Sequence, residues 1–198
     1  MPLLTTQSAR GYGFGSLVSG SPASDMELIS STTLTSVQAS VSFSGLDTSA
    51  SAYRHLRIVT LVRANTNLTA QSMSIELNGS SAANYNAHSF YSFVSTSTVS
   101  GSWIYQNVAS SSAFAGGAEG LTAYPNAFQP TIYEFHDFSQ TNKNKYITSI
   151  NGSINTSTNG SVGWNNIMWN QTSAITSIKF DLASNFTSGS RFTLYGIK

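Results

Sequence analysis

Apolar and polar side chains alternate along much of this chain with a period of two. Val37, Ala39, Val41 and Phe43 alternate with Gln38, Ser40 and Ser42, the mark of a strand with one face buried. Met73, Ile75 and Leu77 repeat the pattern and stop at Asn78-Gly79, a dipeptide that favours a tight turn. Residues 53–63 are apolar on both faces from Ile58 to Val62, which predicts a central strand covered on both sides. Further strands are predicted over 89–94, 102–108, 131–138, 146–150, 174–182 and 191–197. In the last of these Phe192 and Leu194 face one way, and Thr193, Tyr195 and Ile197 face the other. No stretch keeps a helical period beyond about one turn.

Turn clusters separate these segments at 78–81, 110–120, 151–152, 159–160 and 188–189. Roughly nine or ten strands with frequent turn signals predict an all-β chain, an antiparallel β-sandwich of jelly-roll-like build. No repeat of fixed period is present, which disfavours a propeller or a β-helix. The Asn- and Gly-rich region 151–170 reads as one long decorated hairpin.

The first 22 residues differ from the rest. Gly11, Gly13, Gly15 and Gly20, followed by Pro22, interrupt any regular element. Tyr12, Phe14, Leu17 and Val18 are nevertheless too apolar for an idle tail. Residues 1–22 are therefore expected to form an extended arm that buries these four side chains against something else. Residues 23–198 are expected to form a single domain. The Gly-x-Gly spacing does not predict a phosphate loop, because no strand precedes it and no helix follows.

Composition narrows the function. Charged residues make up 9% of the 198, against about 25% in an ordinary globular protein, and the formal net charge is +1. Nucleic acid is not an expected partner, since such binding needs a basic stripe. Arg54, Arg57 and Arg63 form the one local basic cluster and read as surface charges on a strand. There is no cysteine, and no apolar run of about 18 residues that would predict a membrane span. The N-terminal residues lack the basic and apolar regions of a signal peptide. The expectation is a protein that either stays in the cell that makes it or leaves by another route, such as inside an assembled particle.

Little in the chain proposes catalysis. Eight acidic residues are scattered singly, and no pair has the placement glycoside hydrolysis needs. Glu134 and His136 share a strand face but supply two ligands where a metal site needs three or four, so they read as a polar pair. No Gly-x-Ser-x-Gly elbow occurs. No catalytic residue, metal or cofactor is expected. Aromatic side chains could carry sugar binding, with Trp103, Tyr105, Tyr124, Trp164 and Trp169 as candidates. Trp164, Asn165, Trp169 and Asn170 lie in a mixed polar and aromatic segment suited to a glycan-binding loop.

Three segments resemble known virion proteins. Residues 7–15, Gln-Ser-Ala-Arg-Gly-Tyr-Gly-Phe-Gly, are similar to the start of many tailed-bacteriophage virion proteins. Residues 53–58, then 75–79 and Asn84-Tyr85, resemble a β-sandwich module of phage tail-fibre and capsid-decorating proteins. That module carries Tyr-x-x-Leu-x-Ile on an early strand and a Phe-Asn-Gly or similar turn before Asn-Tyr. Residues 186–197 are similar to its closing strand. The module's acidic residue after the Asn-Gly turn is Ser80 here, so no ion or hydrogen-bond role carries over to that position. The resemblance implies a structural protein exposed on a virion, in the first place a capsid decoration or cement protein anchored through its arm. Its partners would be the major capsid protein or other virion subunits and further copies of itself, as in a homotrimer. The alternative is a tail-fibre or tail-tip module that recognises a host cell-surface glycan.

Overall fold

The computed structural model describes residues 25–80, 82–95, 98–110, 112–156 and 159–198. Twelve strands run along them: β1 (Met26–Thr33), β2 (Gln38–Ser44), β3 (His55–Val62), β4 (Ala70–Leu77), β5 (Tyr85–Ser95), β6 (Thr98–Ser110), β7 (Ala113–Glu119), β8 (Gln129–His136), β9 (Lys145–Ile154), β10 (Gly160–Trp169), β11 (Ser177–Phe186) and β12 (Arg191–Ile197). One four-residue helix, α1 (Leu46–Ser49), follows β2. The strands form two sheets, ordered β1-β12-β3-β8-β9-β10-β5-β6 and β2-β11-β4-β7.

The pairing is nested. β1 pairs with β12, β2 with β11, β3 with β8 and β4 with β7, all antiparallel. One long antiparallel ribbon is thus rolled up, and it closes where β12 meets β3 and β11 meets β4. This is the jelly roll expected from the strand count. Two insertions extend it: β5 and β6 lie between β4 and β7, and β9 and β10 between β8 and β11. Both join the same edge of the larger sheet, beyond β8.

The core lies between the sheets. Leu56 and Ile58 of β3, Tyr133 and Phe135 of β8, and Phe192 and Leu194 of β12 face Met73 and Ile75 of β4 and Ile178 and Phe180 of β11. Phe180 contacts Tyr133 and Phe192 at ring separations of 5.2 and 5.6 Å, and Phe186 meets Phe192 edge-on at 5.1 Å. Aromatic pairs in these geometries add to area burial.

Several sequence expectations change. The turn cluster at 110–120 contains β7, an edge strand. Its Ala and Gly residues let the backbone approach the larger sheet, where Ser149 Oγ donates to the Ala115 carbonyl. β1 follows no clean alternation because its register shifts between Leu28 and Ser30. β3 is central, but the outer face is only half-buried at His55, Arg57, Val59 and Leu61, since no layer among the described residues covers it. Asn151-Gly152 lies within β9 rather than in a turn, and β9 pairs with β10 as far as Ile154 opposite Gly160. Arg54 and Arg57 are partly exposed, as expected of surface charges. Arg63 instead is buried, donating to the Leu121 carbonyl beside Glu119. The arm, with Tyr12, Phe14, Leu17 and Val18, lies outside the described residues.

Candidate functional site

The extension β9-β10-β5 shows two different faces because successive strand side chains point to opposite sides. Inward stand Ile147, Ser149 and Asn151 of β9, Gly163, Asn165, Ile167 and Trp169 of β10, and Tyr85, Ala87, Ser89 and Tyr91 of β5. Outward stand Tyr146, Thr148, Ile150 and Ile154, then Val162, Trp164, Asn166 and Met168, then Asn86, His88, Phe90 and Ser92.

Residues 164–170 are therefore a strand and its end, not a binding loop. Trp164 is 61% exposed, whereas Trp169 is 2% exposed and stacks on Tyr85 at 6.5 Å. Their separation of five positions puts them on opposite faces. Asn165 is buried: its Oδ1 accepts from the Tyr91 hydroxyl at 2.8 Å, and its Nδ2 donates to Ser149 Oγ at 2.8 Å. Asn170 is exposed and accepts from Asn144 Nδ2 at 3.0 Å. Six residues of extended chain, about 20 Å, separate it from Trp164. Of the four residues expected to bind glycan together, Asn165 and Trp169 hold the interior, and only Trp164 belongs to the open outer face. Tyr124 is exposed on the connection before β8.

Register aligns Trp164 with residues far apart in sequence. Trp164 lies opposite Ile150 on one side and Phe90 on the other, and Ile150 lies opposite Ile132 of β8. Ile132, Ile150, Trp164 and Phe90 thus form one row across four strands, exposed by 45, 59, 61 and 50%. Val162 and Ile154 lie farther along on the same face, also exposed. One register step in the other direction is a polar row, Glu134, Thr148, Asn166 and His88. The outward positions of β9, β10 and β5 named above carry no Asp, Glu, Lys or Arg. Sequence reasoning singled out Trp164 but missed this row, because only strand order and register put its members side by side.

Charges gather where the outer face passes onto β3 and β8. Arg57 Nε donates to Glu134 Oε1 at 2.6 Å, and Arg54 and Lys143 both pair with Asp137. Those two hydrogen bonds hold the Asp137 carboxyl well below the usual carboxylate range. His55 is brought to His136, with ring centroids 5.9 Å apart, and its Nδ1 accepts from the Asp137 backbone N–H at 2.9 Å. Burial pushes the His55 pKa down. Glu134 faces Arg57 rather than the histidines. Among the described residues no group of three His, Asp or Glu is placed to hold a metal ion.

Four more carboxylates are engaged as well. Glu119 is buried and accepts from Asn155 Nδ2 at 2.8 Å, with its pKa raised by burial. Glu76 and Asp181 pair with Lys179 on the smaller sheet, and Glu27 accepts from Lys198 and the Tyr53 hydroxyl. Lys145 is fully buried and donates to the carbonyls of Lys143 and Thr172, tying two connecting segments to the base of β9.

No family model matches this chain, and no curated protein does. Among solved structures the chain is similar to exo-inulinase from Aspergillus awamori at 9% identity and a TM-score of 0.41, over 87% of this chain and 29% of that one. A second is arcelin-5, a lectin-like defence protein from Phaseolus vulgaris, at 8% identity and a TM-score of 0.16, over 72% of each chain. The chain spans less than a third of the length of the exo-inulinase it matches. Likenesses of this size carry no argument about activity.

Proposed function

We propose that this chain is a structural protein on the outside of a bacteriophage particle, a capsid decoration protein anchored through residues 1–22 and binding virion subunits rather than catalysing a reaction. The observation that carries the reading is the wide outer face of β9-β10-β5, uncharged at its outward positions and crossed by the row Ile132, Ile150, Trp164 and Phe90. Exposed apolar rows of this extent mark surfaces that meet another macromolecule. The resemblance of residues 7–15, 53–58 and 186–197 to phage virion modules points to the particle as the setting. Jelly rolls occur in viral capsid and lectin domains alike, so fold by itself does not choose between them.

Trp164 supports a second reading, a tail module that binds host glycan. An exposed indole flanked by Asn166, Thr148 and His88 offers a stacking surface beside hydrogen-bonding groups. Immunogold labelling of intact virions with an antibody against this chain separates the two. Label over the head is the expected result, and label confined to the tail would support the glycan reading. Label nowhere on the particle would remove both. Deleting residues 1–22 is expected to abolish incorporation, and unchanged incorporation would overturn the role of the arm.

A further inference from the structure

We infer that the outer face of β9-β10-β5 is where two copies of this chain pack sheet against sheet. The inference uses the face that carries the particle reading and names what it meets, a second copy of this chain, and sedimentation tests it apart from the particle.

The first argument is chemical. Four of the seven exposed large apolar side chains on this face, Ile132, Ile150, Val162 and Ile154, are β-branched aliphatics, beside the aromatic Phe90, Tyr146 and Trp164. They neither stack on sugar rings nor hydrogen-bond to hydroxyls, but they interdigitate well with another pleated sheet. A sugar site usually sets a few convergent polar groups in a concavity. Here the apolar side chains stand in a straight row one strand apart.

The second argument is symmetry. A two-fold contact sets a surface against itself, so any charge near the axis meets its own image. The outward positions of β9, β10 and β5 hold no Asp, Glu, Lys or Arg, and the nearest charged pair, Arg57 with Glu134, lies to one side on β3 and β8. With the axis beside Ile150 and Trp164, apolar row meets apolar row. The amides and hydroxyls of Asn166 and Thr148 border it, and the charged groups fall at the rim, as at protein–protein contacts generally.

The third argument is size. Four strands about 4.8 Å apart and about ten residues long present roughly 650 Å² before side-chain relief is counted. That approaches the ~800 Å² per partner of a standard stable contact.

The test is sedimentation velocity on the full chain from about 1 to 100 μM, alongside the Trp164→Glu, Phe90→Ser and Leu28→Glu variants, each checked for unchanged melting by far-UV circular dichroism. Leu28 is an exposed control on β1, at the far edge of the same sheet. The expected result is a concentration-dependent mass of two copies, kept by Leu28→Glu. Trp164→Glu and Phe90→Ser should each weaken association about 30-fold or more, the size of an interface hot spot. If Trp164→Glu fails to fold, the Phe90→Ser variant decides alone. A wild-type chain monomeric throughout, a mass of three copies, or a dimer indifferent to both substitutions would overturn the inference. So would a monomer whose tryptophan fluorescence is quenched by purified host polysaccharide, which would assign the face to glycan.

Discussion

Asn165 Oδ1 accepts a 2.8 Å hydrogen bond from the Tyr91 hydroxyl inside the sandwich, while Trp164, one residue earlier, stands in solvent on the opposite side of the same sheet. The bond belongs to a polar layer that also holds Ser149 and Asn151. Asn165→Ala would remove one hydrogen bond each from the Tyr91 hydroxyl and Ser149 Oγ, at about 0.5–1.5 kcal/mol per bond. Adding Tyr91→Phe should recover part of that loss. Urea unfolding of the two single variants and the double variant gives the coupling directly, and strictly additive losses would show that the pair is not coupled.

The two tryptophans of β10 should behave oppositely. Trp169→Ala removes a fully enclosed ring stacked on Tyr85 and should cost about 3–5 kcal/mol. Trp164→Ala, measured at sub-micromolar concentration where self-association is absent, should stay within about 1 kcal/mol of the parent. Equal losses in denaturant unfolding would contradict the opposite placement of the two rings.

Gly196 has no room for a side chain because the ring of Tyr53 lies where its Cβ would go. The Tyr53 hydroxyl meanwhile donates to Glu27 Oε2 at 2.7 Å, which fixes the ring over β12. Gly196→Ala should destabilise by about 1–3 kcal/mol through overpacking. The same substitution in a Tyr53→Ala background should cost little, and thermal melts that show an undiminished cost there would rule out the ring as the cause.

His55 makes stability depend on pH. Its Nδ1 accepts from the Asp137 N–H, which only an unprotonated Nδ1 can do, and burial is the main cause that lowers its pKa below 6.5. The unfolded chain therefore takes up a proton at this group before the folded one does. The contribution is complete above about pH 6.5 and is lost as pH falls through the lower folded value. Unfolding midpoints should drop between pH 7.5 and 5. His55→Asn, whose Oδ1 can accept the same bond, should flatten the profile, and an equally steep profile in that variant would place the titration elsewhere.

Period-two alternation was enough to place β2, β4 and β12, because in each of them one face packs on the core more fully than the other. The density of turn signals between such strands was enough to predict an antiparallel sandwich. Alternation failed where tertiary context set the pattern. β7 is made of Ala and Gly because it passes close against the larger sheet, and its composition alone reads as a turn. β1 is interrupted by a register shift. β10 carries Asn165 inward, where a buried amide is satisfied by Tyr91 and Ser149, so polarity there does not signal solvent.

The amino-acid sequence by itself determined the all-β class, the low charge and the aromatic candidates, since these follow from local residue types and spacing. The row Ile132, Ile150, Trp164 and Phe90 was decided only by the tertiary structure. Its members lie on four strands spread over some seventy-odd positions of chain, and no local property of any one of them specifies its neighbours. Strand order and antiparallel register do so, through backbone hydrogen bonds that set which residues face each other across a 4.8 Å gap.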